Sequence, residues 1–77
     1  MKKVRIFTTN MCPWCRRTKE FLKENNVEFE EINVERDREM AVKMISVSGR
    51  TGVPQPWIGD EIIIGFNKAK IKELLNL

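Results

Sequence analysis

The only two cysteines of the chain, Cys12 and Cys15, stand two residues apart at the join between a strand-like run and a helix-like run. Lys3 to Thr8 alternates charged and apolar residues. That period of two predicts a strand, with Val4 and Ile6 on one face and Phe7 on the other. From Pro13 to about Asn25 the apolar or small positions are Trp14, Thr18, Phe21 and Leu22. That spacing is helical, and proline is well placed as a first helical residue. The cysteines therefore flank the start of a helix. Free backbone N–H groups and the positive end of the helix dipole stabilise a thiolate there. A thiolate is the nucleophilic form of cysteine, and a second thiol one turn away resolves whatever the first one forms. Cys12-Pro13-Trp14-Cys15 reads as a device for exchanging disulfides.

Other uses of the pair stay open at this level. Zinc takes four ligands, and the chain offers two cysteines and no histidine. A zinc or iron–sulfur site would need two chains, each giving two thiolates, in a bridged dimer that carries or senses the metal. A thiol-dependent interaction module without turnover is a third possibility. Two inert buried thiols fit poorly, because the helix start places Cys12 at an exposed end.

Length and charge narrow the classes. The chain has 77 residues, expected as a single domain over 1–77 with a core only marginally adequate by area. No apolar run is long enough to span a membrane. The basic start, Met1 to Thr8, is too short and broken in its apolar part for a signal peptide. The expected compartment is the cytoplasm, where thiols are kept reduced and a lone cysteine pair is catalytic or metal-binding more often than a staple. The net charge of +3 is spread along the chain, with no glycine-rich phosphate loop and no nucleic-acid motif. We expect no nucleic acid, no membrane and a monomer.

The rest of the chain completes an α/β order. Val27 to Val34 alternates and predicts a strand ending near Asn33. Asp37 caps a second helix whose Met40, Ala41, Met44, Ile45 and Val47 share a face, and Ser48-Gly49 ends it. Arg50 to Pro56 is expected as a loop, with the next strand starting near Trp57 because proline gives a ladder no donor. Trp57-Ile58 and Glu61 to Ile64 read as a hairpin around Gly59-Asp60. Asn67 caps a last helix with Ile71, Leu74 and Leu75 as its stripe. The order is β-α-β-α-β-β-α. It predicts a four-stranded mixed sheet with helices on both faces, so that Ile62-Ile63-Ile64 need not alternate.

With Cys12-Pro13-Trp14-Cys15 after the first strand and Thr51-Gly52-Val53-Pro54 before the third, this order resembles the glutaredoxin branch of the thioredoxin fold over essentially the whole chain. Gly59-Asp60-Glu61 is similar to the family's hairpin turn, and Gly65-Phe66 to its second glycine motif. The resemblance implies a thiol–disulfide oxidoreductase. Cys12 would attack a substrate disulfide, and Cys15 would resolve the mixed disulfide. No cofactor would be bound beyond the Cys12–Cys15 disulfide itself. It also implies a cis Pro54 beside the cysteines. Substrate would dock on Pro13, Trp14, Pro54 and the backbone of Val53. Disulfide-containing proteins, ribonucleotide reductase among them, would be targets.

Some positions depart from the glutathione-using pattern. Thr9 stands where a Lys or Arg is usual, and Phe66 where a second glycine is usual. Asn67-Lys68-Ala69 offers no carboxylate for the glutathione amino group. Gly65-Phe66 looks more like the small redoxins that serve ribonucleotide reductase and are reduced by a thioredoxin reductase, although Pro13-Trp14 is not their usual dipeptide. Glutathione and a thioredoxin reductase-type enzyme both stand as reductants. Arg16, Arg17 and Lys19 could support the thiolate and attract acidic partners. Lys68, with Lys70, could hold a glutathione carboxylate or an acidic tail. Trp57 reads as packing. Pro56 has no functional reading.

Overall fold

Val4–Thr8 forms β1, and its alternation buries both faces, as both Ile6 and Phe7 are inaccessible to solvent. The computed structural model describes residues 2–77, so Met1, with which the expected domain opens, lies outside the described residues. After β1 come α1 (Pro13–Glu24), β2 (Glu30–Asn33), α2 (Arg38–Ser48), β3 (Gln55–Ile58), β4 (Glu61–Ile62) and α3 (Lys68–Leu75). The sheet order is β2-β1-β3-β4. β1 runs parallel to β2 and antiparallel to β3, and β3 runs antiparallel to β4. This is the mixed four-stranded α/β sheet expected from the pattern.

The two faces of β1 seed two cores. Val4 and Ile6 join Leu22 of α1, Ile71 of α3, Ile58 and Ile63. Phe7 joins Ile32, Met44 of α2 and Trp57 on the other face. Helices thus cover both sides of the sheet, and burial of each such side chain is worth about 1.5–3 kcal/mol. The expected caps form. The Asp37 carboxylate accepts from the Met40 N–H at 3.1 Å, and the Asn67 side chain accepts from the Lys70 N–H at 3.1 Å. Gly49 ends α2 in the left-handed conformation, φ 73°, which costs glycine nothing.

Several expected boundaries move. β2 starts at Glu30, not Val27. The Val27 N–H donates to the Leu22 carbonyl at 2.9 Å, so it closes the end of α1 rather than joining a ladder. Val27 and Phe29 pack instead against the α1–α3 core. β4 is only Glu61–Ile62. Ile63 is buried beyond its end and Ile64 is exposed. The apolar stripe expected on α2 is buried only at Met44, while Ile45 and Val47 face solvent.

Pro56 lies inside β3, paired with Ile6, and not before the strand. Its carbonyl points to the β4 side, where it accepts from the Ile63 N–H at 2.8 Å. In a strand the N and C=O of one residue point the same way, so the missing donor also faces that side, past the end of β4. The β1–β3 ladder therefore loses no bond. Trp57 is buried, as expected for packing, with its ring 4.5 Å from that of Phe7.

Candidate active site

The junction of β1 and α1 puts the two cysteines in different environments. Cys12 is the N-cap of α1 in an extended conformation, φ −141° and ψ 93°, and Pro13 occupies the first turn. The Cys15 N–H donates to Cys12 Sγ at 3.1 Å, so the sulfur takes the place of a capping oxygen. The Cys12 carbonyl accepts from the Arg16 N–H at 3.1 Å. The cysteines form a disulfide with their Cα atoms 5.2 Å apart. Cys12 is partly exposed, whereas Cys15 is buried at 2%. The cause is helical spacing: Cys15, Thr18 and Leu22 form the stripe that α1 presses on the sheet. Thr18 is satisfied there by donating its hydroxyl to the Trp14 carbonyl at 2.8 Å.

Trp14 points outward, 57% exposed. The Arg17 guanidinium lies 5.2 Å from the centre of its ring, and the Phe66 ring lies 6.4 Å away. Phe66 also lies 5.8 Å from Phe21, over which Lys68 Nζ sits at 5.3 Å. Pro13, Arg16, Arg17, Phe21, Phe66 and Lys68, with Glu20 and Glu24, line one open groove of about 550 Å³ between α1 and the start of α3. Sequence reasoning had placed Arg16, Arg17 and Lys68 near the site, and the fold brings them to this groove. It does not bring Lys19, which donates to Glu31 at 2.8 Å on another side of α1. That ion pair and the Thr8 hydroxyl, donating at 2.9 Å, hold the Glu31 carboxyl below the ordinary glutamate value. Bonding from Lys19 is the largest cause, partial burial opposes it, and Thr8 and the charges of Lys19 and Lys23 add to the lowering.

Val53-Pro54 is a cis peptide bond. Gln55 pairs with Phe7, so Pro54 comes next to the end of β1 from which the chain runs on to Cys12. Pro54 is buried and Val53 half-buried. Among the described residues the Val53 backbone N–H and C=O make no hydrogen bond, which leaves both for an extended ligand. Behind the turn, buried Gln55 accepts from the Trp57 indole N–H at 2.7 Å and reaches the Gly52 carbonyl at 3.4 Å. Sequence reasoning missed Gln55, Phe66 as an aromatic bridge, and Met11, which is 90% exposed directly before Cys12. A large apolar side chain next to a reactive cysteine was the available signal for Met11. The other two roles depend on tertiary neighbours.

Residues 4–63 match the family model of glutaredoxin. The chain belongs to the glutaredoxin family. Over 72 residues this glutaredoxin is 44% identical to an uncharacterized glutaredoxin-like 8.6 kDa protein in the rubredoxin operon of Clostridium pasteurianum, covering 94% of this chain and 96% of the relative. Its structure is similar to that of the glutaredoxin of Archaeoglobus fulgidus, with TM-score 0.85 and 36% identity over 100% of this chain and 89% of the other. It is also similar to NrdH-redoxin of Escherichia coli, a glutaredoxin-like protein with a thioredoxin-like activity profile. There the TM-score is 0.82 and the identity 32%, over 94% and 93% of the two chains. The protein is a thiol–disulfide oxidoreductase. The family works with glutathione and disulfide substrates. No helix is long and apolar enough to cross a membrane, and no metal-holding group of three or more His, Cys, Asp or Glu occurs, among the described residues.

Proposed function

We propose that this glutaredoxin is a dithiol electron carrier that reduces protein disulfides, with Cys12 as nucleophile and Cys15 as resolving thiol. The observation that carries this is the asymmetry of the pair: Cys12 caps α1 at the surface, and Cys15 is buried one turn in. The Cys12 thiolate, held by the Cys15 N–H and the helix dipole, attacks one sulfur of a substrate disulfide. One substrate thiolate leaves, and a Cys12 mixed disulfide forms. Cys15, as thiolate, then attacks Cys12 Sγ. The second substrate thiolate leaves and the Cys12–Cys15 disulfide closes, so that two electrons have passed to the substrate. The free Val53 backbone groups and Pro54 receive the substrate chain as an added strand, against Pro13 and Trp14.

The reductant in this proposal is a thioredoxin reductase-type enzyme. Phe66 lies between Trp14 and Phe21, at the position where the resemblance to glutathione-using glutaredoxins implies a second glycine. The stretch Asn67-Lys68-Ala69 brings no carboxylate. The likeness to NrdH-redoxin over nearly both full lengths supports the same reading, and ribonucleotide reductase is a target of matching chemistry. The carrier acts as a monomer in the cytoplasm, as one domain over 1–77. The test is turnover of a disulfide substrate with NADPH and either thioredoxin reductase or glutathione plus glutathione reductase. Turnover with thioredoxin reductase alone is the expected result. Turnover with glutathione alone overturns the choice of reductant, and silence with both overturns the function.

A further inference from the structure

The loop ahead of Cys12 is fastened by a closed ring of hydrogen bonds between Asn10 and two residues more than twenty positions away, Asn33 and Glu35. The Asn10 backbone N–H donates to Glu35 Oε1 at 2.9 Å, and Asn10 Nδ2 donates to Glu35 Oε2 at 3.0 Å. Asn33 Nδ2 donates to Asn10 Oδ1 at 2.7 Å. The Glu35 N–H donates to Asn33 Oδ1 at 2.9 Å, which closes the ring. Every polar atom of the Asn10 side chain and both Glu35 oxygens are engaged. The ring sits where β2 ends and leaves toward α2, and it holds the loop 9–11 from outside the β1–α1 junction. It carries no apolar burial of its own, and its cost is an ordered surface loop.

The ring leaves Met11 90% exposed and Cys12 extended as the N-cap. We propose that Asn10, Asn33 and Glu35 are positioning residues for the redox site. They hold the loop 9–11 so that Cys12 Sγ stays in line with the Cys15 N–H and Met11 stands beside the disulfide for substrate to contact. The inference rests on the assignment of Cys12 as nucleophile. When the ring opens, Cys12 gains backbone and side-chain freedom, and Sγ spends less time against the helix N-terminus.

Exchanging a donor for an acceptor tests this. Asn10→Asp sets two carboxylates against each other, and Glu35→Gln sets two amide donors against each other. In the double variant Asn10→Asp/Glu35→Gln one bond reverses direction and all four can form again. The readout is the pH dependence of Cys12 alkylation by iodoacetamide in the reduced protein, with the alkylated residue identified by mass spectrometry. Peptide-disulfide reduction and the urea midpoint are measured alongside. We expect each single variant to lower alkylation at pH 7 about threefold and to raise KM for a peptide disulfide, with the double variant returning both to wild-type values. Wild-type alkylation and KM in both single variants overturn the proposal. So does a folded double variant as impaired as Asn10→Asp, and that arm holds even if a single variant fails to fold. Alkylation at Cys15 instead of Cys12 in the wild-type protein overturns the assignment of the nucleophile, a failure distinct from that of the clamp.

Discussion

The Gly65 N–H donates to the Pro54 carbonyl at 2.9 Å, which ties the turn before α3 to the cis-proline turn. Gly65 meets that bond at φ 81°, a conformation only glycine holds without strain. The next residue, Phe66, is thereby set between Trp14 and Phe21. One short segment thus joins both redox motifs, and its single aromatic residue decides what space remains beside them.

Replacing Phe66 with glycine should open that space. Phe66→Gly is expected to gain glutathione-dependent turnover and to lose stability, because Phe66 also packs against the α1–α3 core. The check is the NADPH-coupled assay with glutathione and glutathione reductase. A variant that stays folded and inert with glutathione would show that Phe66 does not set the choice of reductant.

The asymmetry of the cysteines makes two variants differ in kind. Cys12→Ser should abolish disulfide reduction. Cys15→Ser should still attack and then stall as a mixed disulfide with substrate, visible by mass spectrometry as the adduct of one substrate thiol. A mixed disulfide trapped on Cys15 in Cys12→Ser, with none formed on Cys12 in Cys15→Ser, would reverse the assignment.

Acid should weaken the protein through Glu31. Its folded carboxyl is held below the ordinary value of 4.5, so it contributes stability above that pH and loses it as pH falls through the lowered value. Glu31→Gln should therefore be less stable than wild type at neutral pH and flatter on the acid limb, as read from urea midpoints between pH 7 and pH 3. Parallel acid limbs would contradict the Lys19 and Thr8 interactions as the source.

Buried Gln55 and Trp57 should be energetically coupled. Gln55→Leu leaves the Trp57 indole N–H without its acceptor, at a cost of about 1–3 kcal/mol. In the Trp57→Phe background the donor is gone, and the same change should cost less. A double-mutant cycle of urea unfolding measures the difference, and additive effects would place the bond's worth near zero.

The two cores should differ from the outer side of α2. Leu22→Ala removes an inaccessible side chain beside Ile6 and Ile71 and should cost about 2–5 kcal/mol. That is a large part of the roughly 5–15 kcal/mol available to a domain. Val42→Ala, on an exposed helix position, should stay within about 0.5 kcal/mol. Equal unfolding midpoints for the two variants would refute the burial pattern.

What the sequence by itself determined is what short-range physics controls. Alternation over Val4–Thr8, the proline and cysteine at the start of α1, and the side chains of Asp37 and Asn67 act within a turn of where they stand. For that reason the element order, both helix caps and the Cys12–Cys15 pair were legible before any packing was known. Val53-Pro54 was located by the resemblance of Thr51-Gly52-Val53-Pro54 to a glutaredoxin motif. What only the tertiary structure decided depends on neighbours far along the chain. Pro56 fits inside β3 because its missing donor faces past the end of β4, a fact of pairing rather than propensity. Val27 and Phe29 alternate as a strand would, yet the Leu22 carbonyl takes the Val27 N–H and the core takes their side chains. Lys19 belongs to Glu31 and not to the cysteines, and Asn10 finds Asn33 and Glu35 across separations of 23 and 25 residues. A local pattern states what a segment can form, and the partners that folding brings to it settle which of its groups are used.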